Sequence, residues 1–278
     1  MSGSGVFIAL ILLLLVGLTA LAGWRILDRR SETRAWKILL EAPPGERPVF
    51  DPAILADLPE PARRYFSYTI QPGTVLHRAV EIEMTGELGL GNRAEPNYRP
   101  MRARQILGLP NGFVWSLQSA AISGSDGTID GHSWTRFWLF NLFPVARASG
   151  PDHYRSSFGR LVADSAVWAP ASLLPAEHVS WQPLDSNSAR VTVRYGELEQ
   201  AVDVHVNDEG APVRVVFQRW SDANEQGVYQ LQPFGGDLSE FQHFAGYQLP
   251  GRVLAGNHYG TPDYFPFFKA TVTAVRFR

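Results

Sequence analysis

No cysteine occurs in the 278 residues. Disulfides, thiolate catalysis, cysteine-ligated metals and anchoring through an acylated cysteine are excluded at once. A basic surface is missing as well. Setting aside five basic and two acidic residues in a short flank at 25–37 leaves 20 basic against 25 acidic side chains. Nucleic-acid binding needs an excess of positive charge to neutralise phosphates, so no nucleic-acid partner is expected. Catalytic and cofactor signatures are equally scarce. There is no Gly-x-Ser-x-Gly elbow, and no His-x-x-x-His or His-Glu-x-x-His spacing for a metal. Gly89-Leu90-Gly91 lacks the third glycine and the lysine that would cradle a phosphate. No cofactor, no metal and no assigned catalytic residue are expected.

What the chain does have is apolar surface. Val6 to Trp24 is an unbroken run of nineteen residues without charge or proline, about 28 Å as a helix and therefore close to the hydrocarbon thickness of a bilayer. We read it as a single membrane-spanning helix that makes the lipid bilayer a partner through residues 6–24. Ala20-Leu21-Ala22 offers a competing signal-cleavage site, but Met1 to Gly5 lacks the basic start of a secretory signal. Arg25, Arg29, Arg30, Arg34 and Lys37 follow, and the positive-inside rule favours the cytoplasmic face of a bacterial inner membrane for the rest, with the other face as the alternative. The expected organisation is a transmembrane helix at 1–24, a basic juxtamembrane helix and Pro43-Pro44-Gly45 linker at 25–50, and one β-rich domain at 51–278.

Within that domain Asp51-Pro52 reads as a helix start, and a helical stretch runs on to Phe66. From Val75 the period changes to alternation, with Val80, Ile82 and Met84 on one face and Glu81 and Glu83 on the other. Tyr98 to Leu107 and Phe113 to Ser119 read as a hairpin through Pro110-Asn111-Gly112. Gly124 to Gly131 reads as a turn, and from Ser133 to Ala171 the pattern reads as helical. Alternation resumes at Ala189–Tyr195, Leu198–Val206 and Val213–Trp220. Further strands are expected near Val228–Phe234, Glu240–Tyr247, Arg252–Tyr259 and Phe267–Phe277. Hairpins in succession imply a mainly β, α+β fold: a curved antiparallel sheet of ten or so strands, closing toward a half-barrel or open barrel. The helices at Pro52–Phe66 and Pro151–Trp168 are its expected lids.

Three motifs, Leu58-Pro59-Glu60-Pro61-Ala62-Arg63-Arg64-Tyr65-Phe66, Gly112-Phe113-Val114-Trp115 and Trp168-Ala169-Pro170-Ala171-Ser172-Leu173-Leu174-Pro175, together resemble an uncharacterised bacterial family often preceded by one apolar helix. The resemblance covers most of the chain after the anchor and implies no activity. An acid often precedes the tryptophan of the third motif, where this chain has Val167. At the level of fold, the order of elements is similar to the envelope carriers of lipoproteins, which implies an apolar cavity under a helical lid.

Eight tryptophans, sixteen phenylalanines and nine tyrosines demand a large apolar interior or a cavity. Trp134 to Phe140 is the densest aromatic patch. Candidate ligand-binding residues are Trp115, Trp134, Trp138, Phe140 and Trp168, and the leading expectation is a membrane-anchored binder or carrier of an apolar or lipid-like ligand. Two alternatives stand beside it. One is a hydrolase or isomerase whose acid and base come together only in space, drawn from Asp126, Asp130, His132, Asp152 and His153. The other is a noncatalytic module whose aromatic patch docks another membrane protein.

Overall fold

The computed structural model describes residues 3–41 and 47–278, so the Pro43-Pro44-Gly45 linker lies outside the described residues. Helix α1, Gly3–Leu40, runs unbroken past residue 24. Its apolar first half is exposed on all sides and is long and apolar enough to cross a membrane. Its second half turns Arg25, Asp28, Glu32, Ala35 and Leu39 inward, a spacing of three or four residues that defines one helical face. Asp51 caps a short 3-10 turn at Pro52–Leu55, accepting from the Ala53 amide at 2.9 Å, and α2 follows at Glu60–Thr69.

Thirteen strands form one antiparallel sheet. The first meander comprises β1 (Val80–Gly89), β2 (Tyr98–Gly108), β3 (Gly112–Ser119), β4 (Ile122–Ile129), β5 (His132–Leu139) and β6 (Phe143–Ala148). Helix α3, Pro151–Trp168, crosses to the second. That meander comprises β7 (Val179–Asp185), β8 (Ser188–Tyr195), β9 (Leu198–Val206), β10 (Pro212–Ser221), β11 (Gln230–Phe244), β12 (Tyr247–Asn257) and β13 (Phe265–Phe277). Every pairing joins neighbours in sequence except one: β1 pairs with β13, from Val80↔Phe277 to Leu88↔Phe268, and so joins the two meanders. Right-handed strand twist accumulated over thirteen strands curls such a sheet, leaving a concave face that must be filled. Helix α3 fills it, packing mainly on β9 and β10 and touching β5. Helix α2 closes one end, with Tyr65 and Phe66 against Trp181 at ring separations of 5.8 and 5.4 Å. The Tyr65 hydroxyl donates to the Ala166 carbonyl of α3 at 2.9 Å.

Three expectations change. The glycine-rich stretch expected as a turn is strand β4, with the turn only at Asp130-Gly131. Its glycines make room for neighbouring rings and backbone rather than for a bend: a Cβ at Gly127 would meet the Trp134 ring at 2.6 Å, and one at Gly124 would meet the Arg136 carbonyl and, at 2.8 Å, the Phe137 ring. The region read as helical from Ser133 is β5 and β6, and helix begins only at Pro151. The strands expected near 228–259 are two long ones, β11 and β12, and β7 is a strand beyond those expected.

Both faces of the first meander are covered. On the concave face Val80, Ile82, Met84, Phe113, Trp115 and Leu117 join the main core. On the outer face Ile106, Val114 and Trp134 form a second cluster with Ala35 and Leu39 of α1.

Candidate functional site

Between α3 and the concave face lies a cavity of about 380 Å³, within the range of small-molecule sites. Its first-meander wall carries Leu88, Trp115, Leu117 and Phe137, and its second-meander wall carries Val215, Phe217, Leu238, Val253 and Phe268. Helix α3 contributes Ala163, Val167 and Trp168. Strand alternation produces this lining, since every second residue of β3 and β10 faces inward. Leu90, Val145 and Ala146 are the exposed members of the lining, and they mark the mouth.

One side of this apolar chamber is polar: Gln105, Arg160, Asp164 and Arg219. Arg160 is fully engaged, with Asp126 at 2.6 Å, Asp164 at 3.2 Å and the rings of Phe113 and Trp115 beneath its guanidinium. Gln105 donates to Asp164 at 2.7 Å. Arg219 is different. Its contacts are one bond to the Ser156 hydroxyl at 3.3 Å and the face of Phe234, 5.2 Å from the ring centre. Among the described residues no carboxylate lies within ion-pair distance of it. Burial, and then the charge of Arg160, push its pKa down. The indole N–H groups of Trp115 and Trp168 are also buried without a partner, and both side chains line the cavity. Buried donors are almost always satisfied. Two unpaired indole donors, with a guanidinium held by one long hydrogen bond beside them, point to an acceptor that enters the cavity.

Two of the five expected ligand-binding residues, Trp115 and Trp168, are in this lining. The other three lie elsewhere. Trp134 and Trp138 share the opposite parity on β5 and face outward beneath α1. Trp134 donates to Ser125 at 3.0 Å and Trp138 donates to Asp28 at 3.0 Å. Phe140 sits in the β5–β6 turn, 70% exposed. Sequence reading missed Phe137, which shares the patch but has the inward parity, and it missed Arg219. For Arg219 the available signal was a lone charge at an inward position of β10, where Val215 and Phe217 precede it at two-residue spacing.

Asp126 and His153, of the proposed acid–base set, do meet. His153 Nε2 lies 3.8 Å from Asp126, and the Thr135 hydroxyl bridges them at 2.9 Å to each. Ser133 lies 2.8 Å from His153 Nδ1. Neither Ser133 nor His153 reaches the cavity lining, so the group forms a packed joint between α3 and β4–β5 with no room for a substrate. Asp130 and His132 occupy an exposed turn, and exposed Asp152 accepts from the Trp220 indole at 2.8 Å. Glu81 and Glu83, a second pair of carboxylates, are held by Arg278 at 2.8 Å and Arg276 at 2.6 Å. Among the described residues no three His, Asp or Glu side chains cluster to hold a metal ion.

On the outer face α1 is fastened by charge. Asp28 accepts from Trp138 and from Arg147 at 2.8 and 3.2 Å, with Arg136 at 3.6 Å. Trp24 stacks edge-on against Trp138 at 5.5 Å. Arg25 and Arg29 donate to Asn141 in the β5–β6 turn at 3.4 and 2.7 Å. The end of the sheet carrying Phe140 and Phe143 is thereby fixed beside the point where the apolar half of α1 begins.

Residues 48–270 match a family of unknown function, DUF6544, and the chain belongs to that family. No curated protein matches the chain. Among solved structures it is similar to a LolA superfamily protein from Nitrosomonas europaea, at 8% identity over 78% of this chain and 92% of that one, with a TM-score of 0.44. It is also similar to a putative outer membrane lipoprotein-sorting protein domain from Vibrio parahaemolyticus, at 11% identity over 72% of this chain and 85% of that one, with a TM-score of 0.38.

Proposed function

We propose that this member of the family is a membrane-anchored binding protein for an amphipathic, lipid-like molecule, holding an apolar chain in the cavity and a polar or acidic head against Arg219. The observation that carries the reading is the pairing of an apolar chamber with a guanidinium on its wall that makes no ion pair. An apolar chain entering the chamber gains about 25 cal/mol for each Å² removed from water. A guanidinium that no carboxylate contacts directly in such surroundings costs free energy that a carboxylate or phosphate oxygen would recover. Residues 6–24 form the anchor, and the excess of Arg and Lys after them supports a cytoplasmic domain. Protease protection of a tag placed after Arg278 reads that orientation directly.

The test is uptake of a fluorescent fatty-acid probe by the delipidated full chain in detergent. Saturable binding is expected. Ala163→Trp should abolish it by filling the chamber, and Arg219→Gln should weaken the acid by about tenfold while leaving its methyl ester little changed, the worth of one charge-assisted hydrogen bond. No uptake by the unsubstituted chain, together with no lipid in mass spectra of the purified protein, would remove the reading.

A further inference from the structure

A second cavity lies on the other side of the sheet. It is a cleft of about 530 Å³ between α1 and the outer face of β1–β4, and Arg25, Arg29, Arg102 and Arg104 line it together with Glu32 and Glu83. The two acids are already used, Glu32 by Arg104 at 3.6 Å and Glu83 by Arg276 at 2.6 Å. The arginines are not all used. Arg29 bonds only the neutral Asn141, Arg102 has neither hydrogen bond nor ion pair among the described residues, and the buried Nε of Arg25 has no partner. The cleft therefore presents donors and positive charge in excess of what the protein satisfies.

Its position gives the charge a partner. Arg25 and Arg29 occupy the first two turns after the apolar run, the depth at which phosphate head groups lie. The same two arginines hold Asn141, whose neighbours Phe140 and Phe143 are 70% and 46% exposed. From Phe143 to the mouth residue Val145 is two residues of strand, about 7 Å. Head-group donors, exposed rings and the cavity mouth are thus at one end of the molecule.

We propose that this cleft binds the phosphate head group of an anionic phospholipid from the leaflet that α1 enters, seating Phe140 and Phe143 in the bilayer so that the chamber opens at the lipid surface. The proposal rests on the reading of residues 6–24 as a membrane span. A ligand then moves between leaflet and chamber without crossing water. Arg102 and Arg29 contribute charge to the bound phosphate, and the two rings contribute buried apolar area.

The absence of cysteine makes the test direct. Phe140→Cys and His132→Cys, at opposite ends of β5, are labelled with bimane in full chains reconstituted into phosphatidylcholine nanodiscs with and without phosphatidylglycerol. Quenching by doxyl-labelled lipid is expected at position 140 and not at 132, and it should strengthen with phosphatidylglycerol. Native mass spectrometry should show retained phosphatidylglycerol, reduced about fivefold by Arg102→Gln and further by adding Arg29→Gln, at roughly 1 kcal/mol per arginine. Excess inorganic phosphate should not displace it. Equal quenching at the two positions, or retention unchanged in the double variant, would overturn the proposal. Displacement by phosphate alone would overturn the lipid assignment in favour of a free-anion site. Uptake of the fatty-acid probe by Arg102→Gln in detergent should match the unsubstituted chain, so failure of the chamber reading and failure of this one are distinguishable.

Discussion

Thr135 donates to Asp126, so its oxygen accepts from His153 Nε2, and in the neutral ring Nδ1 is the acceptor facing the Ser133 hydroxyl. Burial, the larger effect, pushes the His153 pKa below its ordinary value, against the opposing pull of Asp126. The unfolded chain takes up this proton near pH 6.5 and the folded chain only at lower pH, so unfolding binds protons as the solution is acidified. The stability contribution is full above about pH 7 and is lost as pH falls through 6.5. Melting temperature should therefore drop between about pH 7.5 and 5.5, and His153→Gln should reduce that slope. His77 and His205 are shifted in the same direction and will keep part of it. Identical slopes in the two proteins would show that His153 is not held neutral. The same residue scale shows why the site was only partly legible. Parity alone separates Trp134 and Trp138 from Phe137, but it does not say which parity faces the cavity when both faces of a sheet are covered.

Helix α1 combines two environments in one element. Its first half follows the apolar rule for a membrane span and was readable from sequence. Its second half docks through Arg25, Asp28 and Glu32 and then through Ala35 and Leu39, so the apolar stripe is confined to its last turns and the earlier signal is charge at intervals of three and four. Arg25 and Arg29 also serve this docking through Asn141. Asp28 is the centre of the joint, buried with Trp138, Arg147 and Arg136 around it. Removing one partner of a buried charge network costs about 3–5 kcal/mol. Asp28→Ala should therefore lower the melting temperature clearly and open the helix–sheet joint to proteases. A loss below about 0.5 kcal/mol, typical of surface changes, would mean that α1 is tethered but not docked.

Across the whole molecule, the hairpins β2–β3, β8–β9 and β9–β10 were readable because register between adjacent strands is a local property, whereas β4 to β6, rich in glycine and in rings, were read as a turn and a helix. The join between β1 and β13 was not readable, since it brings Val80 to Phe277 and nothing local encodes such a pairing. The chamber was less legible still, because a void is what the packed elements leave between them, and ring-rich sequences build filled cores as readily as hollow ones. That void is the centre of the account, and photo-crosslinking of the full chain with a diazirine-bearing fatty acid tests it most directly. Adducts are expected on the chamber wall, at Ala163, Val167, Trp168 or Phe217. Adducts confined to residues 6–24 and the outer surface would contradict it.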